Sequence, residues 1–330
     1  MTATLLDVAR LAQVSEATAS RVLRDKGPIS RQSRESVLAA VEKLGYVPNR
    51  AAGALASAAS PLVGVILPSM TNIVFPEVLR GINAGLVGTG YQALVGITDY
   101  DLSVEQSLVT SLLAWSPAAI ITTGFHHTES TRRRLGQCKA RVVELMDIDA
   151  EPIDIAVGLS HRKAGEAVAR HLVEKGYRRF GYVGHDWNSD RRARLRYDGL
   201  CGELARNGLE LVDQMLFDGL SSVGAGREML AGLLQRRSDL DIVVFSNDDM
   251  ALGGLFHCLS TGIRVKQELS LFGFNGLEIG DVAPLRLSTL RSNRFLIGKT
   301  AVEAIFEPRR SLHTKVVHDT GFEIIEGETA

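Results

Sequence analysis

The sequence predicts a small all-α module at the N-terminus, followed by a larger α/β body. The first 46 residues contain three short stretches of helical periodicity and no strand pattern. From residue 62 onward, short β-branched runs alternate with amphipathic helical stretches, which is typical of parallel sheets covered by helices. A length of 330 residues also exceeds the usual single domain and allows a module beside a two-lobed body.

Three helices are predicted in the N-terminal module, over residues 5–12, 16–23 and 31–44. Ser15 and Ser30 are candidate N-caps of the second and third helices. Gly45 is expected to end the third helix in the left-handed conformation. The residues predicted to face its core are Leu5, Val8, Ala9, Ala12, Ala19, Val22, Leu23, Val37, Leu38, Val41 and Leu44. This order matches a helix-turn-helix, whose second helix enters the DNA major groove. A plain three-helix bundle fits the same periodicity, so the pattern alone leaves both open.

The charge is unevenly distributed along the chain. Residues 1–60 carry eight Lys/Arg against five Asp/Glu, while the whole chain has a net charge of −1. The N-terminal segment is therefore positive and the remainder negative. This asymmetry favours an anionic partner for the module.

The identities of the module's residues resemble the lactose-repressor family of bacterial regulators. The matching residues are Leu6-Asp7-Val8-Ala9, Val14-Ser15, Thr18, Ser20-Arg21-Val22-Leu23, Ile29-Ser30, Arg34, Val37, Leu44-Gly45-Tyr46, Pro48-Asn49-Arg50 and Ala52. Two residues depart from the family pattern, since Gln13 replaces the usual Gly of the turn and Ala19 the usual Val. Gln13 must then accept a left-handed or strained turn conformation.

This resemblance implies a DNA-binding transcriptional repressor that acts as a homodimer on double-stranded operator DNA. The DNA-binding candidates are Leu6, Ser15, Glu16, Ala17, Thr18, Ser20, Arg21, Arg24, Ser30, Ser33, Tyr46, Asn49 and Leu55. Arg21 is suited to two bonds with a guanine edge, and the serines with Asn49 are suited to phosphates. Residues 1–46 would form the DNA-binding domain. The alanine-rich residues 47–60 would form a hinge, from which Leu55 wedges into the minor groove.

Residues 61–330 are expected to form the effector-binding and dimerisation domain, because the family's body resembles periplasmic sugar-binding proteins with two lobes. The predicted strands span 63–67, 92–97, 118–122, 142–145, 179–183, 241–245 and 269–274. The predicted helices span 76–87, 103–114, 163–175, 192–207 and 250–261. Ligands of such folds bind beyond the carboxyl ends of the strands.

Six polar or aromatic residues near those strand ends are the effector-binding candidates: Ser69, Phe75, His127, Arg196, Asn247 and Asn275. Arg196 and Asn247 match ligand-contacting positions of the family. Without that match, the basic run 191–196 is more typical of a solvated helix start, and Asp248 and Asp249 suit a helix N-terminus whatever their function. Departures from the family pattern are Ser160-His161, where Asp-Asn is common, and Asn275, where Asp is common. Residues 142–147 and 154–158 resemble the gluconate-utilisation repressors. This implies a sugar-acid effector whose carboxylate meets Arg196, with His127 or Lys163 as a second cation.

The sequence argues against an enzyme, a free sugar-binding protein and a membrane protein. The adjacent aspartates Asp248-Asp249 diverge on a helix, His126-His127 lack zinc-site spacing, and residues 273–276 lack a phosphate-loop lysine. We therefore expect no catalytic residues, no metal and no cofactor. The lack of a signal-like N-terminus and the three scattered cysteines predict a cytoplasmic protein.

Overall fold

The computed structural model describes residues 3–23, 27–47, 60–187, 190–308 and 314–330. Three predicted DNA contacts, Arg24, Asn49 and Leu55, lie outside these ranges, as does most of the predicted hinge. The chain divides into two compact units, Met1–Ser60 and Pro61–Ala330.

The N-terminal unit contains three helices, α1 (Leu5–Leu11), α2 (Glu16–Leu23) and α3 (Arg31–Leu44). Ser30 caps α3 by accepting a bond from the Ser33 amide, and Gly45 ends it with a φ of +59°. Gln13 adopts a φ of +54° between α1 and α2. The predicted left-handed turn at this glutamine is therefore confirmed.

The core of this unit matches the predicted apolar faces with one exception. Val8, Ala19 and Val37 are fully buried or nearly so, but Leu38 is 51% exposed. Successive helical residues are about 100° apart, so Val37 shares its face with Ala40 and not with Leu38. The prediction that Leu38 faces the core is wrong, and Ala40 takes that place.

The larger unit contains two six-stranded sheets, which define lobe 1 and lobe 2. The strands of lobe 1, in the order β11-β5-β4-β3-β1-β2, are β1 (Ser60–Leu67), β2 (Gln92–Ile97), β3 (Pro117–Thr123), β4 (Arg141–Leu145), β5 (Ile155–Gly158) and β11 (Val316–Asp319). The strands of lobe 2, in the order β12-β10-β9-β8-β6-β7, are β6 (Phe180–His185), β7 (Leu211–Phe217), β8 (Ile242–Phe245), β9 (Ser270–Asn275), β10 (Ser288–Ser292) and β12 (Phe322–Ile325). The chain passes between the sheets after β5, β10 and β11.

Nine further helices of the described chain follow the strands: α4 (Val74–Leu86), α5 (Leu102–Ala114), α6 (Glu129–Gln137), α7 (His161–Glu174), α8 (Arg191–Arg206), α9 (Val223–Arg236), α10 (Asp248–Thr261), α11 (Glu278–Asp281) and α12 (Arg294–Phe306). All seven predicted strands are present. Strands β5, β7, β10, β11 and β12 were not predicted. None of the described helices has the length and apolar character that a bilayer crossing requires.

Reciprocal glycines allow three helix pairs to pack backbone against backbone. A Cβ on Gly165 of α7 would lie 2.0 Å from the Arg196 carbonyl of α8, and one on Gly199 of α8 would lie 2.1 Å from the Arg162 carbonyl. The pairs α4–α12 and α9–α10 repeat this arrangement through the glycines at 81 and 298 and at 226 and 253. Any side chain at these positions would push the helices apart.

Candidate functional site

The outer face of α2 presents the predicted base-reading residues. Glu16, Ala17 and Arg21 are exposed, while Thr18 and Ser20 are half-buried. The Arg21 guanidinium donates two long bonds of 3.4 Å, to the Ala17 carbonyl and to Thr18 Oγ1. A cation held this loosely on an exposed helix face can donate to a ligand instead.

Two of the predicted phosphate contacts, Ser15 and Ser30, lie at helix N-termini. Ser15 Oγ accepts from the Thr18 amide at 3.1 Å, and Ser30 Oγ accepts from the Ser33 amide at 3.1 Å. Helix N-termini attract anions because their amides are unpaired and the dipole is positive there. Of the remaining candidates, Leu6 is 42% exposed on α1, whereas Tyr46 packs against the core of the unit.

A cavity of about 840 Å³ lies between the two lobes, at the carboxyl ends of strands β1 to β4, β6 and β7. Its basic wall residues are His126, Arg191, Arg192 and Arg194. Its acidic wall residues are Glu105, Asp147, Asp149, Asp186, Asp190 and Asp218. Thr98, Tyr100 and Trp187 add hydroxyl and indole groups, so the wall can hydrogen-bond a polar ligand from both lobes.

Arg192 lies on this wall and has a buried hydrogen-bond donor that pairs with no described residue. Its side chain is 13% exposed and its guanidinium carbon lies 5.4 Å from the centre of the Phe75 ring. Its Nε contacts Asp190 Oδ1 at 3.4 Å. Its Nη1 is buried and has no hydrogen-bond partner among the described residues. A buried guanidinium donor without a partner is suited to binding a carboxylate.

Two aspartates beside Arg192 differ in their ionisation. Burial alone would raise the pKa of Asp190, but Arg192, His185 and Arg196 hold that pKa well below its usual value. Burial raises the pKa of Asp147 to about 6, although the Asp149 amide donates to it at 2.8 Å. Asp190 is therefore a permanent anion at the start of α8, whereas Asp147 changes its charge near pH 6.

Arg196 lies behind the cavity wall within lobe 2. It is 9% exposed, its guanidinium carbon stacks 4.1 Å from the centre of the Phe274 ring, and its Nη2 donates to the Ser246 carbonyl at 2.9 Å. Its Nη1 donates to His161 Nδ1 at 3.2 Å. Its Nε is buried without a hydrogen-bond partner in the described part of the chain. Arg196 thus packs behind the cavity wall, and its Nε is the donor that remains without a partner among the described residues.

His127 is not part of the cavity wall, contrary to the expectation that it serves as a second cation for the effector. Its imidazole is fully buried between two carboxylates, with Nδ1 2.5 Å from Glu105 and Nε2 3.3 Å from Glu144. Burial lowers its pKa, but the bonds to both glutamates outweigh burial and raise that pKa to about 9. Its charge is matched inside lobe 1, and the neighbouring His126 reaches the cavity instead.

The other predicted effector residues also serve the fold. Ser69 Oγ accepts from the Thr71 and Asn72 amides at 3.1 and 3.2 Å, which closes the turn after β1. Phe75 is fully buried beneath Arg192. The remaining two, Asn247 and Asn275, lie at the carboxyl ends of the lobe-2 strands β8 and β9. Asn247 caps α10 by accepting from the Met250 amide at 3.0 Å, which leaves its amide nitrogen for other partners.

Asn275 lies at the end of β9 with a φ of +125°, and its carbonyl accepts from Arg294. None of the six predicted effector residues, all within the described ranges, lies on the wall of the 840 Å³ cavity. The wall residues that sequence reasoning missed include Thr98, Tyr100 and Arg192. The sequence contained a signal for these residues, because Thr98 and Tyr100 follow β2 and Arg192 follows β6, and ligands bind beyond the carboxyl ends of strands.

Comparisons with known proteins agree with both units. Residues 4–49 match the family model of bacterial regulatory proteins, lacI family, and residues 169–328 match the periplasmic binding protein-like domain. The chain is 38% identical to the HTH-type transcriptional regulator GntR of Pseudomonas aeruginosa, over 99% of this chain and 95% of the relative. The chain belongs to the lacI family of bacterial regulatory proteins.

Two further comparisons extend the likeness of this lacI-family chain. It is 32% identical to the HTH-type transcriptional regulator IdnR of Escherichia coli, over 98% of both chains. It also matches the crystal structure of a LacI-family transcriptional regulator from Silicibacter pomeroyi, with 42% identity, a TM-score of 0.91 and 99% of both chains covered. The chain is a DNA-binding transcriptional regulator, and its relatives are regulators rather than enzymes. The predicted helix-turn-helix module and two-lobed α/β body are confirmed.

Proposed function

We propose that this lacI-family regulator is a homodimeric repressor, released from its operator by a sugar acid of the gluconate type. Residues 1–46 bind DNA, residues 47–60 form the hinge, and residues 61–330 bind the effector and dimerise. The observation that carries the effector class is Arg192, with its partnerless buried donor at the wall of the inter-lobe cavity. The likeness to regulators named GntR supports the same class.

The composition of the cavity wall suits a polyhydroxy acid. The carboxylate of the ligand binds Arg192 Nη1, on the side of the cavity wall that α8 forms. Hydroxyl groups donate to Asp147 and Asp149, and Tyr100 lies on the same wall. A neutral sugar would offer the buried Nη1 donor only an uncharged acceptor, and a hydrogen bond to a carboxylate is stronger.

The DNA half of the proposal concerns a palindromic operator, because one helix-turn-helix reads a half-site and a two-fold dimer reads two. Arg21 donates to a guanine edge, while Ser15 and Ser30 bind phosphates at the N-termini of α2 and α3. Leu55, outside the described residues, is the proposed minor-groove wedge.

Effector and operator are linked by a difference in affinity. The ligand must favour the lobe arrangement in which two hinges cannot fold together on DNA, and binding and release are then reciprocal. A coupling of about 1 to 3 kcal/mol changes operator affinity by roughly 5- to 150-fold. That range is sufficient for induction.

Titration calorimetry with D-gluconate, 2-ketogluconate, glucose and ribose tests the effector class. The parent should give heat with at least one acid and none with the neutral sugars. Arg192→Ala should lose that binding, and Arg191→Ala should retain it, since Arg191 is an exposed neighbour on the same wall. No heat with either acid removes the sugar-acid assignment. Unchanged affinity in Arg192→Ala removes Arg192 from the site.

A gel-shift titration with operator DNA tests the regulatory half. The parent complex should dissociate as the binding acid is added. The Arg192→Ala complex should form normally and persist at the same concentration. A parent complex that tightens instead would make the acid a co-repressor and contradict release.

A further inference from the structure

His161 begins α7, where the chain passes from lobe 1 to lobe 2, and its side chain is buried. Its Nε2 lies 2.7 Å from the Met146 carbonyl, and its Nδ1 lies 3.2 Å from Arg196 Nη1. A carbonyl can only accept and a guanidinium can only donate. The ring must therefore donate from Nε2 and accept at Nδ1, which fixes it as the neutral Nε2–H tautomer.

The two partners of His161 are anchored in different lobes. Met146 follows β4, and its amide donates to the Val157 carbonyl of β5 at 2.9 Å, so its backbone is part of lobe 1. Arg196 is fixed in lobe 2 through the Ser246 carbonyl at the end of β8 and through the ring of Phe274. The imidazole thus connects the two lobes directly.

The charges around His161 keep it neutral. Burial lowers its pKa well below the usual value, and the cations Arg196 and Arg192 of α8 lower it further. The Met146 carbonyl and Asp190 act in the opposite direction without reversing the shift. From β9, the uncharged ring of Phe274 packs at 6.1 Å between centroids. Protonation would place an N–H against a guanidinium that has no acceptor.

We propose that His161 is a positioning residue that holds Arg196 from the lobe-1 backbone, so that the lobe arrangement sets how Arg196 and its neighbour Asp190 hold Arg192 at the cavity wall. This role deepens the proposed function and rests on it for the identity of the effector. In this proposal the two ring nitrogens of His161 have different roles. Nδ1 orients Arg196, and Nε2 couples the position of lobe 2 to the Met146 backbone of lobe 1.

Two substitutions separate the ends. In His161→Asn the side-chain oxygen lies near the former Nδ1 position, so Arg196 keeps its acceptor while the Met146 carbonyl loses its donor. In His161→Gln the amide nitrogen lies near the former Nε2 position, so the Met146 carbonyl keeps its donor while Arg196 loses its acceptor. The matched control is His171→Asn, because His171 lies on the same helix and faces Glu326.

Calorimetry with D-gluconate measures the effector affinity of each variant. Gel shifts with and without D-gluconate measure how far the effector releases the operator. His161→Gln should bind gluconate about 2- to 10-fold more weakly, the factor expected for one buried hydrogen bond. His161→Asn should keep the parent affinity but lose a similar factor from gluconate-induced operator release. His171→Asn should match the parent in both. Equal losses of both quantities in the two His161 variants, or no loss in either, would overturn the positioning role.

A gluconate-free readout keeps the two proposals distinguishable. In full-length protein with ¹⁵N-labelled histidine, the His161 signal is the one of eight that disappears in His161→Asn. It should report the Nε2–H tautomer throughout pH 5 to 8, and its Nδ1 shift should move in Arg196→Lys. An Nδ1–H tautomer, or titration near the ordinary histidine midpoint, overturns the positioning role whatever gluconate does. If the parent gives no heat with either D-gluconate or 2-ketogluconate, the sugar-acid function fails and this spectrum alone decides on His161.

Discussion

Removing the imidazole from His127 should destabilise lobe 1. Its ring lies 2.5 Å from Glu105 and 3.3 Å from Glu144, and the glutamate side chains are 10% and 0% exposed. His127→Gln leaves two buried carboxylates without their shared counter-charge. Breaking a buried ion pair by removing one partner costs about 3 to 5 kcal/mol of unfolding free energy.

The same cluster predicts a pH dependence with a definite sign. Because the folded pKa of His127 is raised from 6.5 to about 9, the folded chain keeps a proton that the unfolded chain loses. The stabilisation is present in full below pH 6.5 and is lost as the pH rises through 9. At about 1.4 kcal/mol per pKa unit, this loss amounts to roughly 3 kcal/mol.

Urea unfolding measures both effects when the signal is restricted to lobe 1. The chain has two tryptophans, and Trp115 directly follows α5, the helix that carries Glu105. In a Trp187→Phe background, the parent should lose stability between pH 6.5 and 9.5, whereas His127→Gln should start lower and show a much flatter profile. His126→Gln is the control, since this neighbour is exposed. A parent profile as flat as that of His127→Gln would refute the buried imidazolium.

Three other outcomes are expected. Arg21→Ala should weaken operator binding by about 1 to 3 kcal/mol and relax the preference at one base pair per half-site in a gel-shift panel, and equal loss on every sequence would contradict base reading. Gly165→Ala should lower the free energy of unfolding of lobe 2, measured with urea, by about 1 to 3 kcal/mol, because its Cβ would lie 2.0 Å from the Arg196 carbonyl. Gly202→Ala, which meets nothing within 4 Å, is the control and should not destabilise. Because burial raises the pKa of Asp147 to about 6, calorimetry should show gluconate affinity rising from pH 5 to 7 as this hydroxyl acceptor ionises, and Asp147→Asn should flatten that profile.

Local signals in the sequence were sufficient for the helices of the N-terminal unit and for most elements of the body. Apolar spacing, Ser30 as a cap and Gly45 as a stop each act within a few residues. The left-handed turn at Gln13 was expected from the family resemblance, because Gln13 replaces the usual Gly of the turn. The short edge strands β11 and β12 escaped prediction, because their alternating, half-exposed residues become strands only through partners such as β5 and β10.

The residues of the candidate site were harder to predict from the sequence than the helices and strands, because they depend on tertiary structure. The sequence predicted polar site residues after the strands and singled out Arg196 as a ligand contact, but it could not choose between adjacent candidates. His126 lines the cavity and His127 points to Glu144, a difference of one residue that depends on where β4 and α5 pack. Phe75 became core rather than ligand wall for the same reason.

By itself, then, the sequence determined the family, the order of strands and helices, and the exposed face of α2, since these depend on residue identity and short-range periodicity. Only the tertiary structure decided which side chains meet between the lobes. The bond from His161 to Met146 spans 15 residues and the bond from His161 to Arg196 spans 35. Contacts at such separations depend on how two sheets and their crossing helices pack, and no local pattern encodes that geometry.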